Sequence, residues 1–232
     1  MSRSFSHTLR RFADSGLDAS HRSAESIAAN SMNDEDQTSA PRKLNVGCGL
    51  DIRPGWVNLD MVDYGGNQIV DLNKYPWPFP ENHFDYIYCS HILEHMGNFN
   101  AVVTELFRVG KPGAILEVRV PFFLSTKYYS EPDHRIPFGI RSFDNYEDIS
   151  GRKLKFYEKW KLGHRTNYGS PARFVVLEKR FHFSNFAVLK WLDFFINLEP
   201  VMFERFCAGL LQPEEVIFKL RLSKKAAVSK PG

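Results

Sequence analysis

Apolar and polar positions change rhythm along this chain. From Lys43 onward, short apolar runs alternate with turn signals. Leu44-Asn45-Val46 stops at Gly47-Cys48-Gly49, and Trp56-Val57-Asn58-Leu59-Asp60 stops in a carboxylate. Gln68-Ile69-Val70 stops at Asp71, and the run Phe84 to Cys89 is bounded by Asn82 and Ser90. Each run predicts a strand. Phe99, Val102, Val103, Leu106 and Phe107 recur at helical spacing and predict a helix over Phe99 to Val109. Lys111-Pro112-Gly113 stops that helix and turns the chain into a fifth strand, Ala114 to Val120, closed by Pro121. Strand, helix and strand at these lengths signal a mostly parallel sheet with helical crossovers.

Later in the chain the pattern changes. Residues from about 121 to 150 contain Glu131-Pro132-Asp133-His134 and Ile136-Pro137-Phe138-Gly139, with a short helix expected over Ser142 to Ile149. They read as a loop that covers the sheet edge, a lid. Lys153 to Leu162 alternates, with Leu154, Phe156, Trp160 and Leu162 on one side. Val216 to Leu222 alternates too, with Val216, Phe218, Leu220 and Leu222 together. Period two suits antiparallel edge strands, so these two segments are expected to pair as a terminal hairpin. A helical insertion over about 185–212 lies between them, and its aromatics are expected to form a core helix pair in preference to a membrane-facing surface.

Composition narrows the function classes. The 232 residues are 43% hydrophobic and 25% charged, ordinary globular values. Residues 1–40 are Ser-rich and poor in large apolar side chains, so they are expected to form a disordered leader; residues 41–232 form the folded domain. The formal net charge of +3 is spread through the chain with no dense Lys/Arg run, which argues against a nucleic-acid partner. No apolar run approaches the roughly 20 residues of a membrane span; peripheral membrane contact stays open. Three cysteines without a CxxC pair make neither a disulfide framework nor a zinc site. A reducing, cytoplasmic setting is the expectation. His91 and His95 are four residues apart, a spacing that can bind metal. A helix-surface or capping role for His95 is the simpler expectation, and no metal site is expected.

The chemistry lies at the strand ends. In an open parallel sheet, ligands sit outside the carboxyl ends of the strands where the strand order reverses. Gly47 and Gly49 let the backbone turn sharply and approach a ligand. Ile52 stands where a dinucleotide fingerprint needs its third glycine, which disfavours a nicotinamide enzyme. Asp60 can accept hydrogen bonds from both hydroxyls of a ribose, and Asp71-Leu72 offers a carboxylate and an amide to an adenine edge.

This ordered set resembles the class I S-adenosylmethionine-dependent methyltransferases, in particular the small type 11 group. The resemblance runs from Lys43 to about Phe123. It rests on the Gly47-Cys48-Gly49 turn, Asp60, Asp71-Leu72, Trp77-Pro78-Phe79, Phe84-Asp85-Tyr86-Ile87, His91-Ile92-Leu93-Glu94-His95 and Lys111-Pro112-Gly113. It implies a Rossmann-like α/β fold: a mostly parallel seven-stranded sheet with helices on both faces and an antiparallel terminal hairpin. It also implies S-adenosylmethionine as cofactor. Gly47, Cys48 and Gly49 would lie against its methionine and ribose, Asp60 on the ribose, Asp71 and Leu72 at the adenine, and Ser90 and His91 at the methionine end. The chain departs from the pattern between Gly49 and Asp60, where the link is too short for the usual first helix.

Methyl transfer needs a base only where the acceptor must lose a proton. His134 in the lid and His91 are the candidates, because histidine titrates near neutrality. The acceptor expected is a small molecule or a sugar-containing molecule. The competing reading is a catalytically silent, methyltransferase-like binding or assembly module.

Overall fold

The computed structural model describes residues 40–150, 169–183 and 190–224. The leader expected over 1–40 falls outside them except for Ala40, as does the strand expected over Lys153 to Leu162. One compact unit begins at Pro41. Its seven strands are β1 (Lys43–Val46), β2 (Val57–Asp60), β3 (Gln68–Ile69), β4 (Phe84–Ser90), β5 (Gly110–Pro121), β6 (Phe174–His182) and β7 (Glu215–Leu222). They form one sheet in the order β3-β2-β1-β4-β5-β7-β6. The pairs from β3 to β5 are parallel, and β7 runs antiparallel to both β5 and β6. The chain builds outward from β1 to β3 and then returns to lay β4 on the other side of β1. The strand order therefore reverses between β1 and β4.

Only the β4–β5 crossover carries a full helix among the described residues: α1 (Phe99–Val109). The Asn98 side chain caps it by accepting from the Ala101 amide at 3.1 Å. Val102, Val103, Leu106 and Val109 are its fully buried face. The helix ends at Val109 and β5 begins at Gly110, ahead of the Lys-Pro-Gly turn expected to separate them. Gly110 makes the abrupt change possible, because a Cβ there would overlap the Leu222 side chain.

The β1–β2 link has no helix, as its length requires. Two buried asparagines satisfy it instead. Asn45 Nδ2 donates to the Asp51 carbonyl at 2.8 Å and to Asn58 Oδ1 at 3.1 Å. Asn58 in turn accepts from the Arg53 amide and donates to the Arg53 carbonyl. The Arg53 guanidinium lies 3.8 Å from the Tyr88 ring centre and pairs with Asp51 at 2.8 Å. It is a clasp on the link.

The β3–β4 connection cannot be helical either, with Pro76, Pro78 and Pro80 in alternate positions. Trp77 anchors it as a buried plug. Its indole N–H donates to the Leu72 carbonyl at 3.3 Å and its backbone amide to Glu105 Oε1 at 2.6 Å. Arg108 closes the ring, donating to Glu105 and to the carbonyls of Trp77 and Phe79.

Four expectations are corrected. The partner of Val216 to Leu222 in the terminal hairpin is Phe174–His182, with Val216 opposite Phe181 and Leu222 opposite Phe174. The lid divides: residues 123–137 form surface loop around a one-turn helix, α2 (Thr126–Tyr129), whereas Phe138, Ile140, Phe143 and Tyr146 are core. Within that later stretch only Asp144–Tyr146 is helical, as a 3-10 turn. The helical insertion holds α3 (Lys190–Ile196) and α4 (Pro200–Phe206). It is not simply a core helix pair, because Trp191, Phe194, Phe195, Leu198, Met202 and Phe206 are all more than half exposed.

Glu105 holds two partners at once in a buried position. Glu105→Ala is expected to lower unfolding stability by about 3 kcal/mol, since it strands the Trp77 amide and the Arg108 guanidinium. The exposed Glu81→Ala is expected to stay within about 0.5 kcal/mol. Urea unfolding of both variants checks this.

Candidate functional site

Strand register brings the candidate residues to one edge. Val46 pairs with Cys89, and Asp60 pairs with Ile69. Gly47, Ser90, Asp60 and the Val70-Asp71 step are therefore consecutive along the carboxyl ends of the parallel strands. This is the edge where an open α/β sheet takes its ligand.

Gly47 and Gly49 both have positive φ, +65° and +48°. Their reasons differ. A Cβ on Gly47 would overlap the Ile92 side chain, so this glycine lets the turn after β1 pack on the turn after β4. A Cβ on Gly49 would meet nothing within 4 Å, so this glycine faces open space. Between them, Cys48 is buried and contributes its backbone: its amide donates to Leu59 O at 2.9 Å and its carbonyl accepts from Asp51 at 2.8 Å. Burial, with Asp60 nearby, pushes the Cys48 thiol up and keeps it protonated.

Asp60 locks this turn to β2. One carboxylate oxygen accepts from the Gly49 amide at 2.9 Å and the other from the Val62 amide at 3.1 Å. The side chain remains partly exposed, so a carboxylate has second lone pairs left for hydroxyl donors. Asp71 accepts from the Asn73 amide at 3.0 Å and pairs with Lys74 at 3.3 Å. Leu72 is buried beneath it against Trp77. Trp77 itself is core.

His91 follows β4 in a left-handed conformation, φ +52°. Its amide donates to Arg119 O at 2.9 Å. Its ring lies between two carboxylates, Glu215 at 3.2 Å and Glu94 at 3.5 Å. The hydrogen bond to Glu215, then the contact with Glu94, raises its pKa to about 9. His91 is thus a cation at neutral pH, the wrong form for a general base. Burial alone would raise the Glu215 carboxyl, but His91, Arg119 at 2.8 Å and Lys127 at 3.1 Å hold it well below the usual carboxylate range.

His134 is brought to a different place. Its ring is 4% exposed under the loop after α2, where Nδ1 donates to the Tyr128 carbonyl at 2.7 Å and the ring centre is 4.7 Å from that of His95. An acceptor molecule cannot reach a ring so covered, so His134 is not a free base in this conformation. His95 is not a simple cap: its Nδ1 contacts Asp133 at 2.9 Å. The sequence reading missed Glu94, Arg119, Lys127 and Glu215. The only signal was the His91-Ile92-Leu93-Glu94-His95 string; the other three are charges whose meeting depends on tertiary pairing.

A hollow of about 820 Å3 lies at the opposite, amino edge of the sheet, between Glu81, Thr104, Arg108, Asp148, Arg173 and Lys224. It gathers none of the residues proposed for the cofactor. Arg173 donates there to the carbonyls of Ser170 and Ala172.

The two glycines separate packing from openness. Gly47→Ala is expected to lose about 2–4 kcal/mol through left-handed strain and overlap with Ile92. Gly49→Ala is expected to lose only about 1–2 kcal/mol, from strain alone. Thermal or urea unfolding of the pair distinguishes them, and equal losses would contradict the packing described.

Residues 40–118 match the family model described as a methyltransferase domain, type 11. Over 74 residues the chain is 35% identical to the sterol 24-C-methyltransferase of Pneumocystis carinii, covering 32% of this chain and 20% of that one. Over 88 residues it is 32% identical to the demethylmenaquinone methyltransferase of Anoxybacillus flavithermus, covering 35% and 37%. The chain thus spans well under half the length of these curated relatives. Among solved structures, a SAM dependent methyltransferase from Archaeoglobus fulgidus superposes with a TM-score of 0.49 at 14% identity, covering 79% of this chain and 86% of that one. Over residues 40–118, this chain is thus similar to the S-adenosylmethionine-dependent methyltransferases of type 11.

Proposed function

We propose that the chain binds S-adenosylmethionine at the carboxyl edge of its sheet and transfers the methyl group to a small-molecule or sugar-containing acceptor. One observation carries this: Asp60 is tied to the Gly49 amide yet remains partly exposed, beside a glycine that leaves open space. In this reading the turn Gly47-Cys48-Gly49 runs along the cofactor's ribose and methionine, and Asp60 accepts from the ribose hydroxyls. Asp71 and Leu72 meet the adenine. Ser90 and the charged His91 face the amino-acid end, where a cation complements a carboxylate.

The cofactor supplies an activated methyl carbon on a sulfonium. The protein's part is alignment, worth on the order of 7–11 kcal/mol in well-oriented systems. The relatives are named for a sterol and for demethylmenaquinone, which supports a small-molecule acceptor. The exposed apolar side chains of α3 and α4 support an apolar acceptor or a peripheral surface contact. No helix among the described residues is long and apolar enough to cross a membrane.

Thermal unfolding with S-adenosylhomocysteine tests the cofactor. At a hundred times its dissociation constant, the ligand is expected to stabilise the chain by about 2.7 kcal/mol, a rise of roughly 5–10 °C in melting temperature. Asp60→Ala is expected to weaken binding at least tenfold, for loss of charge-assisted hydrogen bonds. Transfer of a labelled methyl group into fractionated small molecules and glycans tests turnover. A melting shift without any transfer would favour the silent binding module, and no shift with the folded wild type would contradict cofactor binding itself.

A further inference from the structure

Three ligating side chains converge beneath the loop that follows α2. Glu94 and His95 lie on the 3-10 turn Leu93–His95, and His134 comes from the loop. One ligating atom from each lies within 4.8 Å of the other two. Glu94 is completely buried, and neither of its carboxylate oxygens accepts a hydrogen bond among the described residues. Its nearest charged neighbour, His91 Nδ1 at 3.5 Å, is at the far limit of a hydrogen bond. The His91 cation offsets part of its charge, but a buried carboxylate with neither oxygen hydrogen-bonded still gains from a second cation. The Glu94 backbone is meanwhile fixed by the same loop, since its carbonyl accepts from the amides of Arg135 at 2.8 Å and Ile136 at 3.0 Å.

The two histidines are prepared in the same sense. His134 Nδ1 faces the Tyr128 carbonyl at 2.7 Å, and a carbonyl only accepts, so Nδ1 carries the proton. His95 Nδ1 faces the Asp133 carboxylate at 2.9 Å and is the donor there too. With Nδ1 the donor in both rings, Nε2 is the nitrogen left to take an ion. The closest acid to His134 Nε2, Glu131, is 3.7 Å away and exposed. An imidazole whose other nitrogen donates to a carbonyl or a carboxylate is the usual arrangement of a metal ligand with its supporting partner.

We infer that Glu94, His95 and His134 form a binding site for a divalent first-row transition-metal ion, with one Glu94 oxygen and both Nε2 atoms as ligands. Two imidazoles and one carboxylate suit zinc, manganese, iron or cobalt in preference to calcium or magnesium, which take oxygen. Ligands at 2.0–2.2 Å from one ion lie about 3.3 Å apart, so an ion would hold the three side chains in closer contact than the 4.8 Å within which they now lie. Asp133 and the Tyr128 carbonyl act as positioning groups. Three protein ligands leave coordination positions open for water or an oxygen donor. The ion site itself is independent of methyl transfer; that the oxygen donor is the methyl acceptor rests on the function proposed above, because Glu94 also touches His91 at the cofactor edge.

The test uses the full chain, stripped with a chelator and dialysed against Zn2+ or Mn2+, with bound metal measured by mass spectrometry. One ion per chain is expected. His134→Gln and Glu94→Gln are each expected to weaken binding at least a hundredfold, Asp133→Asn about tenfold, and the distant His83→Gln not at all. Glu94 is buried, so the loop variants His134→Gln and Asp133→Asn, checked for folding by circular dichroism, carry the test if Glu94→Gln does not fold. No stoichiometric ion in the wild type, or binding that the two loop variants leave unchanged, overturns the inference. The melting shift with S-adenosylhomocysteine, measured on the same wild-type sample, keeps the outcomes apart: a shift without metal sinks only the metal site, and metal without a shift sinks only the cofactor reading.

Discussion

Parallel neighbours in a sheet must be joined by a crossover, which ordinarily takes a dozen or more residues and a helix. In this chain β1 and β2 are joined by residues 47–56 alone. The Asn45–Asn58 pair makes that possible: two buried amides take over the hydrogen bonds that a helix would have satisfied internally. With the link held down, its first residues make a tight turn across the end of β1. The same turn is tied to β2 through Cys48 and Asp60. The shape of the carboxyl edge of the sheet is thus a consequence of a short connection made tolerable by two side chains.

The neighbouring half of the edge is built on charge. His91, Glu94, Arg119, Lys127 and Glu215 bring together residues from β4, β5, α2 and β7. Glu215 is buried and holds three cations, so β7 is pinned to the edge as well as paired in the sheet. Burying one acid against three partners is tolerable because each contact is a charge-assisted hydrogen bond. A cationic His91 beside the glycine turn fits recognition of an anionic group better than proton abstraction.

Much of this was legible from local pattern. Strands β1 to β5 and helix α1 lie within a residue or a few of their expected bounds, since Gly, Asp and Pro mark their ends and the apolar period marks their type. The hairpin partner was not legible. In β6 the register shifts between Val176 and Glu178, so the alternation changes phase within the strand and reads as no pattern at all. The segment Phe138 to Tyr146 looked like lid because prolines and polar residues surround it. Its burial depends on Phe99 of α1 and on Phe218 of β7, contacts between residues far apart in sequence. Among candidate site residues, the glycines and Asp60 stand out in the sequence because the turn they form constrains their types. Glu215 was not, because its contact with His91 spans 124 residues.

The central claim is that one edge of the sheet, from the β1 turn to the end of β4, is the cofactor cradle. Amide NMR of the uniformly labelled chain, titrated with S-adenosylhomocysteine, tests it most directly. The account predicts the largest shift changes at Gly47, Gly49, Met61, Leu72 and His91, with Thr104 and Lys224 at the opposite edge unmoved. Changes centred on Thr104, Phe107 and Lys224, with the glycine turn undisturbed, would contradict it.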